Sequence, residues 1–193
     1  MVQPVPLRSP ESRGVLTHAL SPYPRQGRIE ASSFCNSVCP WCHGHGGNNP
    51  LTPQAKKMTR QKGRIDMALV EHLVGEIATW SEPLYELVPT NFGEWFMHPE
   101  WHAQGVLYST WLPRTRLTVV TPGILLQMPG ALEKLASLET IKWVNFSVNA
   151  YTPELWAAFH GLPARHLETV KAAVTRLAQL RPDVVRWISM ARD

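Results

Sequence analysis

All three cysteines of this 193-residue chain fall in one short stretch, at Cys35, Cys39 and Cys42. The surrounding segment, Arg28 to Gly47, reads R-I-E-A-S-S-F-C-N-S-V-C-P-W-C-H-G-H-G-G. The spacing is C-x3-C-x2-C, directly after a run that reads as a strand. Pro40 stands inside the triad and works against a regular helix there. A loop with three thiols at such short range can wrap them around one metal centre. A disulfide framework is disfavoured, because three cysteines cannot pair off and the spacing is too tight for a stapled scaffold.

Thiolates are the soft ligands that zinc and iron–sulfur clusters prefer. A closed zinc site or a fully protein-ligated cluster takes four ligands. Three thiolates leave one position open, and an open position lets a bound metal act on a small molecule. The same residues also support a structural zinc site with His43 or His45 as fourth ligand, in a module that binds nucleic acid or protein. Lys56, Lys57, Arg60, Lys62 and Arg64 form the densest basic patch of the chain. That patch reads as a solvated loop more readily than as a nucleic-acid surface.

Hydrophobic residues make up 44% and charged residues 18%, the balance of a folded globular chain and not of a disordered one. The net charge of +4 is mild. No run of about 18 apolar residues exists to span a membrane, and the N-terminus carries no apolar signal run. A cytoplasmic location with no membrane partner is the expectation.

Residues 1–27 are rich in proline (Pro4, Pro6, Pro10, Pro22, Pro24) and read as an irregular arm. Residues 28–193 read as one core domain. Strands are expected at Arg28–Phe34, Leu84–Thr90, Arg116–Thr121, Ile141–Asn149 and Val184–Met190. Helices are expected at Asp66–Trp80, Pro99–Tyr108, Gly130–Ser137, Thr152–Phe159 and Ala164–Leu180. Val70, Leu73, Val74 and Ile77 set the first helix by their spacing, and Leu167, Val170, Val174 and Leu177 the last. Strands alternating with helices predict a parallel sheet built from right-handed crossovers. The fold class is therefore α/β: a partial (β/α) TIM-like barrel of about five parallel strands with helices outside. In the fourth strand Val144, Phe146 and Val148 alternate with Asn145, Ser147 and Asn149. One face then suits covering helices, and the other suits either a hydrated ligand in a lumen or plain solvent.

C-N-x-x-C-x-x-C, with the aromatic Trp41 before the last cysteine, resembles the cluster loop of the radical SAM superfamily. The resemblance runs from about Arg28 to Met190. It implies that Cys35, Cys39 and Cys42 hold a 4Fe–4S cluster whose open iron is chelated by S-adenosylmethionine. It further implies reductive cleavage of that molecule to a 5′-deoxyadenosyl radical, which abstracts hydrogen from a substrate. N-F-G-E-W-F-M-H-P-E, Asn91 to Glu100, is similar to the family's G-G-E-P segment, which binds the methionyl amino group. Gly93 and Glu94 match, while Phe92 and Trp95 depart from the pattern. Ser147 and Asn149 match positions that contact ribose or carboxylate, and Trp41 would meet the adenine edge through its backbone. Ser189 and Met190 fall where adenine is often touched. His160 stands where the family usually has arginine, and no histidine is assigned a catalytic role. The resemblance also implies an electron donor such as flavodoxin or ferredoxin. The substrate could be a peptide, a nucleotide or another small molecule. The resemblance implies a partial barrel of six units where five are read here, which keeps open a chain truncated before the sixth unit, a relative that binds a cluster without catalysis.

Overall fold

The computed structural model describes residues 22–49 and 61–188. Most of the proline-rich arm, Lys56, Lys57, Arg60, Ser189 and Met190 lie outside the described residues. Five strands, β1 (Gln26–Arg28), β2 (Glu86–Val88), β3 (Arg116–Thr121), β4 (Ile141–Ser147) and β5 (Val185–Ile188), form one sheet in chain order. Every neighbouring pair is parallel. The connections carry α1 (Met67–Ala78), α2 (Trp101–Trp111), α3 (Ala131–Ala136), then α4 (Pro153–His160) and α5 (His166–Leu180). This is the expected α/β architecture, a partial barrel of five units.

Local chemistry starts and stops the helices. The Asp66 carboxylate accepts from the Ala68 amide at 2.8 Å and caps α1. Thr152 caps α4 by accepting from the Leu155 amide, with Pro153 just inside. Gly161 ends α4 in the left-handed region at φ 64°. Along α5, Leu167, Val170, Ala173 and Leu177 are buried on one stripe, as their spacing requires.

The two faces of the sheet differ. Leu87, Leu117, Val119, Val144, Phe146 and Val148 are buried in the core with Trp95, Tyr108, Trp156, Val170 and Leu177. Truncating one of the large aromatic groups there would cost about 3–5 kcal/mol. The opposite face carries Gln26, Glu86, Thr118, Trp143, Asn145 and Arg186, fixed by the pairings Gln26 with Glu86, Thr118 with Trp143, and Asn145 with Arg186. Trp95 and Trp101 prove to be core residues; the Trp95 indole donates to Gln104 Oε1 at 2.8 Å.

The structure shortens the strands expected at Arg28–Phe34, Leu84–Thr90 and Ile141–Asn149. β1 ends at Arg28, although Ile29 and Ala31 still donate to the Val88 and Pro89 carbonyls. Its partner β2 itself ends at Val88, just before Pro89, which has no amide hydrogen to extend a ladder. β4 ends at Ser147, and Asn149 adopts φ 62° in a turn beyond it. Asparagine tolerates that conformation because its side chain can bond locally, here to the Ser147 carbonyl at 3.4 Å. Short 3-10 turns at Gly46–Asn48, Trp95–Met97 and Ile124–Gln127 have no counterpart in the sequence reading.

Candidate functional site

The cysteine loop leaves β1 and folds back on itself. Cys42 donates its amide to the Cys39 carbonyl at 2.9 Å, and Gly46 donates to the Cys42 carbonyl at 2.7 Å. A Cβ on Gly46 would sit 2.5 Å from the Pro40 carbonyl oxygen, so only glycine allows this coil. The loop is tied to the end of α4. The Val38 amide donates to the His160 carbonyl at 2.9 Å. The Asn49 side chain donates to the Ala158 and Phe159 carbonyls, which α4 would otherwise leave unbonded. Trp41 packs on Phe159 with ring centres 5.0 Å apart.

The second wall is the turn after β2. Glu30 Oε1 accepts from the amides of Phe92 and Gly93 at 2.9 and 3.0 Å. Gly93 presses on the strand exit: a Cβ there would lie 1.8 Å from the Ser32 carbonyl oxygen. The next residue, Glu94, donates its amide to the Phe34 carbonyl at 2.8 Å. Its carboxyl accepts from Thr121 Oγ1 at 3.0 Å and from the Phe96 amide at 3.4 Å. Burial pushes this carboxyl up to about 8, against the lowering effect of those two hydrogen bonds. His98 is structural. It donates from Nε2 to the Ile65 carbonyl at 2.9 Å and accepts the Glu100 amide on Nδ1.

The third wall comes from β3, β4 and the end of α4. His160 is fully buried and stacks on Trp156 with ring centres 4.6 Å apart. Its Nε2 bonds the Val148 carbonyl at 3.2 Å, which leaves Nδ1 facing Ser37 Oγ at 3.4 Å and Cys39 Sγ at 3.6 Å. Burial lowers its proton affinity, while the Val148 bond works the other way.

These walls enclose a cavity of about 380 Å³ at the carboxyl ends of the strands, where parallel α/β folds bind ligands. Cys35, Cys39, Cys42, Trp41, Gly93, Glu94, Ser147 and Asn149 all line it. Arg28, Thr90, Thr121 and His160 line it too. Sequence reasoning gave these four no role at this site. His160 drew notice only as a departure from a family pattern, and Thr121 only as the start of T-P-G-I-L-L, which resembles the family's T-N-G segment with Pro122 in place of the Asn; Arg28 and Thr90 carry no motif. A larger groove of about 470 Å³ lies between Val106, Ser109, Thr140 and Lys142, at the amino end of β4 and away from the thiols.

The donor set fits a metal cluster. Burial pushes Cys35 and Cys39 up to about 12, with Glu94 and the neighbouring thiols adding to the effect at Cys35. Such thiols stay protonated until a cation is present to draw off the protons. Among the described residues no three His, Cys, Asp or Glu side chains converge as ligands of a single ion. A cluster does not need that convergence, because each thiolate takes a separate iron atom.

The sheet order and helix placement are shared with several solved structures, methylornithine synthase (PylB) among them. The chain is similar to BtrN, solved in complex with AdoMet and 2-DOIA, with a TM-score of 0.63 and 17% identity over 86% of this chain and 57% of that one. It is similar to SuiB of Streptococcus suis bound to S-adenosylmethionine, with a TM-score of 0.64 and 13% identity over 89% of this chain and 35% of that one. Native anSMEcpe with bound AdoMet aligns with a TM-score of 0.56 and 17% identity over 84% of this chain and 43% of that one. This chain thus spans little more than half the length of BtrN and less of the other two. At these identities the likeness is one of fold. No family model and no curated protein sequence matches the chain. Among the described residues no helix is long and apolar enough to cross a membrane.

Proposed function

We propose that this chain is the core of a radical S-adenosylmethionine enzyme, with Cys35, Cys39 and Cys42 as ligands of a 4Fe–4S cluster. The observation that carries the reading is convergence: three thiols, Trp41, Gly93, Glu94, Ser147 and Asn149 come from separate segments and line one cavity. When bound, the cluster would supply an electron for reductive cleavage of S-adenosylmethionine. The chain's own residues bind and orient. Gly93 lets the backbone come close to the ligand, and Glu94 answers the methionyl ammonium. A buried carboxyl that holds its proton in the empty site would release it as the ammonium enters, giving a charge-assisted pair. Ser147 and Asn149 would take ribose or carboxylate oxygens, and Trp41 would shield the cluster side. An electron donor such as flavodoxin or ferredoxin, and a cytoplasmic setting, belong to this reading.

The zinc reading has less support. A single zinc needs four ligands at about 2.0–2.3 Å from one point. Of the two candidate fourth ligands, His43 lies edge-on to Phe92 at 6.4 Å, and the His45 ring bonds Lys62 Nζ at 3.4 Å. Cys39→Ala tests the proposal. After anaerobic reconstitution it should hold no intact cluster, whereas Glu94→Ala should hold the cluster and bind S-adenosylmethionine more weakly. A fully loaded Cys39→Ala protein would sink the assignment.

A further inference from the structure

The polar face of the sheet continues the floor of the cavity, and its charges are unbalanced. Residues that pair in a parallel register share a face. The pairings therefore put Gln26, Glu86 and Arg116 together, with Arg28 two residues further along β1. Arg186 joins them across Asn145. Within the strands this face carries three guanidinium groups and one carboxylate, and of these Arg28 alone lines the cavity. The carboxylate, Glu86, is already engaged: it accepts from the Gln26 side chain and from Thr118 Oγ1 at 2.5 Å. The Arg116 guanidinium rests against the rings of Tyr85 and Trp143 at 4.8 and 5.2 Å. Arg186 donates to the Val185 carbonyl at 2.8 Å.

Arg28 differs from the other two. It lines the same cavity as the three thiols and Glu94. It is exposed, and among the described residues it meets no carboxylate; its bond is a long one, 3.4 Å, to the Thr90 carbonyl. A guanidinium presents a planar fork of donors that matches a carboxylate or phosphate. Glu94, the carboxyl that shares the cavity, is assigned to the methionyl ammonium, which leaves Arg28 as the charged group there without a matching one. A substrate without an acidic group would leave the fork of Arg28 unused.

We propose that this face holds the acidic group, carboxylate or phosphate, of the molecule the site acts on, with Arg28 as its principal contact. The proposal rests on the cofactor reading above and adds a substrate class to it: an anionic small molecule, or the acidic group of a larger one.

The test is equilibrium binding of inorganic phosphate and of citrate to the reconstituted, S-adenosylmethionine-loaded protein. Parent, Arg28→Gln and Arg28→Lys are compared. The parent should bind at least one probe saturably. Arg28→Gln should weaken that binding by about tenfold and Arg28→Lys by less, with S-adenosylmethionine affinity unchanged in both. A preference for phosphate assigns a phosphorylated substrate, and a preference for citrate a carboxylate. A parent that binds S-adenosylmethionine and neither probe overturns this proposal alone, as does an Arg28→Gln variant that binds the probe like the parent. Loss of S-adenosylmethionine in Arg28→Gln also overturns it, by assigning Arg28 to the cofactor. A parent that never binds S-adenosylmethionine overturns the cofactor reading and this proposal with it.

Discussion

His160 Nδ1 lies 3.6 Å from Cys39 Sγ, and its Nε2 is fixed on the Val148 carbonyl at 3.2 Å. The ring therefore couples the cysteine loop to the end of β4. The backbone of the same residue accepts the Val38 amide. His160→Ala should leave the sheet folded but loosen the loop, since it removes the ring that ties Ser37 to the Val148 carbonyl, at a cost of about 1–3 kcal/mol; the carbonyl itself still accepts the Ala150 amide. The reconstituted variant should lose iron to a chelator faster than the parent, by about tenfold. Equal rates of loss would show that the loop does not depend on this residue.

The Glu94 carboxyl gives a pH dependence with a definite sign. Its affinity is raised from the usual 4.5 to about 8, first by burial. The folded state then keeps a proton that the unfolded chain releases. The stability from this group is full at acid pH and is lost as pH rises from about 4.5 through about 8. Melting of the metal-free protein across that range should therefore fall with pH in the parent and fall less steeply in Glu94→Gln. Parallel slopes would contradict the burial of an ionisable group at this position.

Gly93 is the point of closest approach between the β2 turn and the strand exit at Ser32. A Cβ there would lie 1.8 Å from one backbone oxygen, which no side-chain adjustment can relieve. Gly93→Ala should push the turn away, break the Glu94-to-Phe34 backbone bond and lower stability by about 1–3 kcal/mol in denaturant unfolding. S-adenosylmethionine affinity should fall with it. An unchanged unfolding midpoint would show that the turn can shift freely.

The architecture was legible where periodicity is strong. The alternation of Val144, Phe146 and Val148 with polar neighbours gave a strand with one apolar face. Leu167, Val170 and Leu177 gave the buried stripe of α5. Boundaries were less legible, because they depend on partners elsewhere in the chain: β1 stops where its partner β2 ends, at Val88. The cysteine triad stood out by its spacing, and the Gly93–Glu94 pair by its resemblance to a family segment at the end of a strand. Glu30, Thr121 and His160 did not. A glutamate that holds two amides 62 and 63 residues away has no local signature, and a buried histidine looks like any other until Cys39 is beside it.

The most direct measurement is electron paramagnetic resonance of the anaerobically reconstituted and reduced protein, with and without S-adenosylmethionine. The account predicts a four-iron cluster signal that changes when S-adenosylmethionine is added, because three thiolates leave one iron open. A cluster signal indifferent to S-adenosylmethionine, or a protein that retains zinc and takes up no cluster, would contradict it.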